Sequence, residues 1–271
     1  PGNYVDSLGA ESQTQCPPTT YNPSTGSDSR SDCIDVSPGH YSGEWGNPDQ
    51  IECPLGTYQP NSAQASCLDA DPGYFVSSLA STFQTPCPSG TYNPSEASGS
   101  STDCIPADPG NYVDNAGSST QSPCSPGTYQ DSIGQISCRN AESGYYVSSE
   151  GQPEQTPAPL DAYVVSAQST SYENCQENYI TLQVAAVSAD DCYLDTDGDR
   201  IHDIVDQDDD GDGVDDVLDL CSLGLMDWVS DPVSDFDGDG CKDSDEDSDD
   251  DNDGFPDDND ALPLDQSEWS D

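Results

Sequence analysis

The sequence is poor in basic residues, methionine and phenylalanine. Its 271 residues include four Lys plus Arg against 54 Asp plus Glu, which gives a formal net charge of -50. Proteins that bind nucleic acids or anionic membranes place Lys and Arg against phosphates, so this charge excludes both kinds of partner. With hydrophobic residues at 31%, one Met and four Phe, the chain holds too little apolar material for one large core. We therefore expect small units that are held together by other means.

Long apolar runs and closely spaced cysteine pairs are also missing. No run reaches the 18 residues that a membrane-spanning helix needs, and no basic and apolar leader opens the chain. We therefore expect a mature chain, or part of one, without direct membrane insertion. The 12 cysteines are even in number and none forms a Cys-x-x-Cys pair. This pattern predicts a disulfide framework, which forms in oxidising surroundings, and hence an extracellular or cell-surface location.

Residues 1–142 contain an internal repeat with a period of 71. Adding 71 to the numbers of the first four cysteines gives the next four, so the chain contains two cassettes, 1–71 and 72–142. Each repeat unit joins a Pro-Gly-x-Tyr half, as at 38–41, to a Cys-x-x-x-Thr-Tyr half, as at 53–58. Pro-Gly suits a type II turn and the tyrosine can open a short strand, so each half predicts a hairpin with one ring. Stacking would bury these rings in an elongated, small-β, disulfide-rich repeat array.

This half resembles the ephrin-receptor-like cysteine-rich repeat, which reads Cys-x-x-Cys-Pro-x-Gly-Thr-Tyr followed by a further Cys-x-x-Cys. One cysteine of each Cys-x-x-Cys is missing here, and Ala107 and Gln121 stand where that family has cysteine. Cysteines are kept at both ends of the Thr-Tyr half and lost at both ends of the other. The resemblance therefore implies pairing within the Thr-Tyr half, with pairing between repeats as the alternative. The implied pairs are Cys16 with Cys33, Cys53 with Cys67, Cys87 with Cys104, and Cys124 with Cys138.

Residues 143–194 are predicted to be a decayed repeat and a β-rich transition segment. Ala158 replaces the first cysteine of a unit, so Cys175 needs another partner, and Cys192 is the nearest one. The most strand-like apolar run of the chain lies between these two cysteines, at 179–187. We expect a core strand of a small transition domain; the alternative is a strand that pairs with a neighbouring subunit.

Residues 195–271 hold 31 of the 54 acidic side chains, in a regular spacing. Four windows fit Asp-x-Asp-x-Asp-Gly-x-x-Asp-x-x-Asp/Glu, although Arg200 replaces the glycine of the first. Carboxylates at positions 1, 3 and 5 can point inward from a curled loop, Gly at position 6 allows the turn, and an acid at position 12 closes the shell. The predicted ligands are Asp195, Asp197, Asp199, Asp203 and Asp206 in loop one; Asp208, Asp210, Asp212, Asp216 and Asp219 in loop two; Asp235, Asp237, Asp239, Asp243 and Glu246 in loop three; and Asp249, Asp251, Asp253, Asp257 and Asp260 in loop four.

This spacing predicts at least four bound calcium ions, since magnesium demands a stricter octahedron and usually keeps its waters. The acidic run 245–251 permits slipped registers and hence additional ions. Loops that begin 13 or 14 residues apart leave no room for the flanking helices of an EF-hand. A disordered acidic tail is the alternative.

The acidic segment resembles the thrombospondin type 3 repeat, in which the chain wraps a line of ions. Asp219-Leu-Cys221 is similar to the Asp-x-Cys-Pro of that family, with Ser222 in place of proline. The resemblance implies irregular calcium-wrapped loops with little regular secondary structure. We expect Cys221 to pair with Cys241 across the gap between loops two and three.

The residues of a catalytic site are missing. His40 and His202 are the only histidines, and both are expected at the surface or in loops. The chain has no Gly-x-Ser-x-Gly, no phosphate-binding Gly-rich loop with Lys and no His-Glu-x-x-His. Trp45, Trp228 and Trp269 are expected to pack against a disulfide or a calcium loop, with a binding platform as the alternative. We therefore expect a protein that is not an enzyme.

Two functions fit these features. The first is an extracellular calcium-binding structural protein, a disulfide-stapled rod that acts as a surface stalk or a self-assembling filament subunit, with 179–187 and the repeat ends as self-contacts. The second is the ectodomain of an adhesin or receptor that binds a protein or glycan ligand. The repeats lack a recurrent aromatic patch or basic pocket, which favours the first function.

Overall fold

The computed structural model describes residues 1–267 of the chain. In these residues the strands are two or three residues long and form eleven antiparallel hairpins. The hairpins are β1 (Asn3–Tyr4) with β2 (Thr14–Gln15), β3 (Thr20–Tyr21) with β4 (Ile34–Asp35), β5 (His40–Tyr41) with β6 (Ile51–Glu52), β7 (Thr57–Tyr58) with β8 (Leu68–Asp69), β9 (Tyr74–Phe75) with β10 (Thr85–Pro86), β11 (Thr91–Tyr92) with β12 (Ile105–Pro106), β13 (Asn111–Tyr112) with β14 (Ser122–Pro123), β15 (Thr128–Tyr129) with β16 (Arg139–Asn140), β17 (Tyr145–Tyr146) with β18 (Thr156–Pro157), β19 (Ala162–Tyr163) with β20 (Glu173–Asn174), and β21 (Tyr179–Thr181) with β22 (Cys192–Leu194). Short 3-10 helices span Arg30–Asp32, Ser101–Asp103, Ala189–Asp191 and Asp257–Asn259.

The Pro-Gly turns form as the sequence predicts. In the turn before β5, the His40 N–H donates to the Ser37 carbonyl at 3.1 Å, and Gly39 has a φ of +82°. These are the hydrogen bond and the left-handed third residue of a type II turn. At the equivalent Gly56, a Cβ atom would overlap the carbonyl oxygen of Ala97, so the close approach of the backbones also requires glycine.

The described chain consists of two compact units. The first contains residues 1–141 and 147–155, and the second contains 142–146 together with the described residues from 156 onward. Along the sequence the units interleave around residue 145.

The interior of the first unit is a column of small side chains that are fully buried. One residue from each hairpin contributes: Cys16, Val36, Cys53, Ala70, Cys87, Ala107, Cys124 and Ala141. Each column residue donates its N–H to a turn residue that opens a hairpin; for example, Cys53 donates to the Gly39 carbonyl at 2.9 Å. The prediction of stacked, buried rings is wrong for most of the tyrosines, since Tyr4 and Tyr129 are the buried ones among those described. Successive turns hydrogen-bond directly to the column, which leaves room inside for small side chains and keeps most rings half-exposed beside it.

In the second unit, the same hydrogen bonds continue as far as the first acidic loop. Ala158 donates its N–H to Gly144, Cys175 to Asp161, and Asp195 to Asn178, each at 2.8 or 2.9 Å. Asp195, the first residue of the first acidic loop, therefore makes the same hydrogen bond as Ala158 and Cys175.

The predicted strand 179–187 is shorter than expected. β21 ends at Thr181 and pairs with β22 in an ordinary hairpin, so the expectation of a strand is wrong beyond that residue. Ala185 has a φ of +62° and donates its N–H to the Ala158 carbonyl at 2.9 Å. This is the left-handed turn that the earlier hairpins use, and it bends the chain away from a strand. About half of the surface of Leu182, Val184 and Val187 is left exposed.

Six disulfide bonds link the chain. They join Cys16 to Cys33, Cys53 to Cys67, Cys87 to Cys104, Cys124 to Cys138, Cys175 to Cys192, and Cys221 to Cys241, with distances of 5.2 to 5.9 Å between the paired Cα atoms. These are the pairs that the sequence analysis predicts. Six disulfides indicate a secreted or extracellular protein. No helix within residues 1–267 is long and apolar enough to cross a membrane.

Candidate metal centre

The four acidic loops close through the same pair of hydrogen bonds. In loop two, the Asp216 carboxylate accepts from the Asp209 N–H at 2.9 Å, and the Asp216 N–H donates to the Gln207 carbonyl at 2.7 Å. The position 9 residues Asp203, Asp243 and Asp257 do the same with Thr196 and Leu194, Phe236 and Ser234, and Asp250 and Ser248. The aspartate at position 9 therefore holds the two ends of each loop together and keeps one carboxylate oxygen on the backbone.

This closure brings the carboxylates of positions 1, 3 and 5 together. In every loop one oxygen from each of these three residues lies within 4.8 Å of the others. The triads are Asp195, Asp197 and Asp199; Asp208, Asp210 and Asp212; Asp235, Asp237 and Asp239; and Asp249, Asp251 and Asp253. Three converging carboxylates offer the hard oxygen ligands that calcium and magnesium prefer.

Several carboxylate oxygens of the triad residues are buried without a hydrogen bond. Asp212 and Asp251 are each 1% exposed; their Oδ1 atoms accept backbone N–H groups, at 2.8 Å from Val214 and at 3.1 Å from Asp253. Their Oδ2 atoms have no hydrogen-bond partner, and the same holds for Oδ2 of Asp237 and Asp253 and for Oδ1 of Asp249. An unpaired buried polar atom costs about 1–3 kcal/mol, and more when the group is charged. A cation bound by these oxygens would remove that cost.

Burial and mutual repulsion favour the protonated form of several of these acids. The pKa of Asp237 is raised to about 6, first by desolvation and then by the charge of Asp239. The pKa values of Asp209 and Asp219 are also raised to about 6, and that of Asp250 to about 7, with desolvation as the largest cause in each. Without a bound cation, the ionised form of these carboxylates therefore lowers the stability of the folded loops at neutral pH.

The acids at position 12 lie outside the triads. Asp206, Asp219 and Asp260 accept N–H groups of the residues that directly follow them, whereas Glu246 contacts Leu225 in the segment before its own loop. Asp219, which is 8% exposed, accepts the Cys221 N–H at 2.6 Å and lies against Gly240 of loop three. Glu246 accepts the Leu225 N–H at 2.5 Å. Asp206 and Asp260 likewise accept N–H groups one or two residues ahead. One oxygen of Asp219, Glu246 and Asp260 remains buried and unpaired.

Neighbouring loops touch through their acidic side chains. Asp197 of loop one lies against Gly211 of loop two, as Asp219 lies against Gly240. Asn252 of loop four donates to Asp239 of loop three at 3.4 Å. The loops are therefore close enough for carboxylates of one loop to influence the charge of the next.

A fifth acidic group lies between loops three and four. Asp243, Asp247 and Asp250 each bring one oxygen within 4.8 Å of the others. The four-loop pattern assigns Asp243 alone of these three, and it misses Asp247 and Asp250. The signal in the sequence is the acidic run 245–251, which is interrupted by Ser248 alone and permits more than one register.

The predicted histidine and tryptophan side chains have different surroundings, and Nδ1 of His202 and Nε1 of Trp228 are buried without a hydrogen-bond partner. The His202 ring lies 4.9 Å from the Tyr193 ring, and Nδ1 of His40 lies 3.2 Å from the Pro38 carbonyl oxygen. The Lys242 ammonium lies 6.0 Å from the centre of the Trp228 ring, and Trp45 is 60% exposed. Trp269 lies outside the described residues.

No protein-family model and no curated protein matches this chain.

Proposed function

We propose that this protein is an extracellular calcium-binding structural protein, which acts as a surface stalk or as a self-assembling filament subunit. Calcium occupies the four acidic triads and orders residues 195–260, while the disulfides hold the hairpin repeats. The observation that carries the proposal is the buried, unpaired carboxylate oxygen of Asp212 and of Asp251, each inside a triad that its loop has already closed.

Calcium fits these loops better than magnesium. The triads lie in irregular backbone, and additional acids such as Asp219 and Glu246 lie at the loop edges. Calcium accepts six to eight oxygens in flexible geometry, whereas magnesium requires a near-ideal octahedron and keeps several waters. Extracellular sites of this open kind bind calcium with dissociation constants of about 0.1 to 1 mM.

Self-association is the second part of the proposal. The half-exposed Leu182, Val184 and Val187 follow the short strand β21 and provide an apolar contact surface in a chain that is otherwise strongly acidic. Bound calcium would lower the repulsion between copies of a chain whose formal charge is -50.

Calcium binding is tested by hydrogen exchange and mass spectrometry of the full chain in calcium, in magnesium at the same concentration, and in chelator. We expect chelation to remove protection from 195–260 and to leave the hairpins protected, and we expect magnesium to restore less protection than calcium. Asp251→Asn should raise the calcium concentration needed for protection of 249–260, because it removes a buried ligand charge. Asp258→Asn is the matched control, since Asp258 is exposed and outside the triads. Equal protection in calcium and chelator would refute the calcium proposal.

Electron microscopy with and without calcium tests assembly. Ordered polymers in calcium would support a filament subunit, and separate thin particles would support a spacer or an adhesive ectodomain instead.

A further inference from the structure

Arg200 takes the place of the glycine that the other three acidic loops use at position 6. Its φ is +77°, in the left-handed region where Gly213, Gly240 and Gly254 lie. This conformation is sterically unfavourable for an arginine, which has a Cβ atom, and not for a glycine. Its side chain reaches back 39 residues to Asp161, with Nη2 2.7 Å from Oδ2 and Nη1 3.3 Å from Oδ1.

Asp161 also stands where most of the hairpins have glycine. Its φ is +63°, and it accepts the Cys175 N–H in the way that Gly144 accepts the Ala158 N–H. Two hydrogen bonds to Thr181 fix it: the Asp161 N–H donates to Oγ1 at 2.9 Å, and Asp161 Oδ1 accepts the Thr181 N–H at 3.2 Å. Two residues in left-handed positions therefore meet in one two-pronged ion pair.

The position of Arg200 matters because it directly follows three converging carboxylates. A guanidinium free to turn toward them would neutralise them with hydrogen bonds and repel an incoming cation. The side chain is directed instead to a carboxylate that belongs to the hairpins.

We propose that Asp161 is a positioning residue for loop one, which holds the Arg200 guanidinium away from Asp195, Asp197 and Asp199 and so leaves them free for calcium. This inference rests on the proposed calcium binding of the acidic loops. It relates the arginine at position 6 of loop one to the calcium affinity of that loop. It also makes this affinity depend on Asp161, which directly precedes β19.

The test follows hydrogen exchange of residues 195–206 in the full chain against free calcium, with 249–260 as the internal reference. Asp161→Asn keeps an oxygen for the Thr181 N–H and tolerates a left-handed backbone, but it removes the charge that holds Arg200. We expect it to raise the calcium midpoint of 195–206 by about fivefold and to leave that of 249–260 unchanged. Asp131→Asn is the matched control, because it breaks the similarly exposed ion pair of Arg139 and Asp131, whose nitrogen and oxygen are 2.8 Å apart.

Combining the variant with Arg200→Gly distinguishes positioning from a purely structural effect. Arg200→Gly should give a midpoint for 195–206 at or below the wild-type value, and the double variant should match it, because without the guanidinium no counter-ion is needed. An unchanged midpoint in Asp161→Asn would overturn the inference, and so would a double variant as weak as Asp161→Asn. A wild-type protein without calcium-dependent protection in any of the four loops would overturn the proposed function as well.

Discussion

The contact between Asp219 and Gly240 allows a quantitative test of how loops two and three fit together. Gly240 has a φ of +85°, and a Cβ atom there would overlap the Asp219 carboxylate. Gly254 has a φ of +97° and no atom within 4 Å of an added Cβ. Gly240→Ala and Gly254→Ala therefore both place an alanine in the left-handed region, but the added Cβ meets another atom in Gly240→Ala alone.

The two variants should differ in stability because Gly240→Ala displaces the Asp219 carboxylate. An alanine in the left-handed region costs about 1–2 kcal/mol in both variants. In Gly240→Ala the displaced carboxylate also loses its 2.6 Å bond from the Cys221 N–H, and a hydrogen bond to a charged group contributes about 1.5–3 kcal/mol. We thus expect Gly240→Ala to lose about 1.5–3 kcal/mol more than Gly254→Ala in the free energy of the calcium-bound loop, which corresponds to a factor of about 10 to 150 in its calcium midpoint.

The assay is hydrogen exchange against free calcium, with peptides from 208–219 and 235–246 compared with 249–260. Gly240→Ala should shift both loops two and three, because Asp219 belongs to loop two and Gly240 to loop three. Gly254→Ala should shift loop four alone, and by less. Equal shifts in the two variants, or a Gly240→Ala effect confined to loop three, would refute the reasoning.

Two further predictions concern pH and the disulfides. In chelator, acidification from pH 7 to pH 5 should increase the protection of 208–260, because acids whose folded pKa is raised to about 6 or 7 bind more protons folded than unfolded. Hydrogen bonds lower the pKa values of Asp231, Asp245 and Asp265, so these groups affect stability only below pH 5. A loss of protection between pH 7 and 5 would therefore contradict the prediction. Replacement of both Cys53 and Cys67 by alanine should destabilise the hairpin repeats by about 3 kcal/mol in denaturant unfolding, since it opens a loop of 14 residues. Ala70 and Ala107 already fill equivalent column positions, so the packing should survive, and an unfolded protein would contradict the column.

The local parts of the fold could be predicted from the sequence because they depend on neighbouring residues. Pro38 and Gly39 specify their turn by their own backbone preferences, and the resemblance to the ephrin-receptor-like repeat implied the pairing of neighbouring cysteines. The column of small residues could not be read in this way. Cys53 and Ala70 are buried because each donates its N–H to a turn residue 14 positions earlier in the chain. The short periods of helices and strands do not reveal contacts over that distance.

The same division applies to the candidate site. The triads at positions 1, 3 and 5 follow from a five-residue spacing, and each closes through contacts within its own loop. The positions of Asp219 and Arg200 depend on partners in another loop or hairpin, 21 residues ahead at Gly240 and 39 residues back at Asp161. In both cases the sequence gives an indication: Asp219 is an acid at the last position of its loop, and Arg200 is a charged residue where the loop pattern has glycine. The loop pattern therefore predicts which carboxylates converge, whereas Asp219 and Arg200 show where loops two and one contact other parts of the chain.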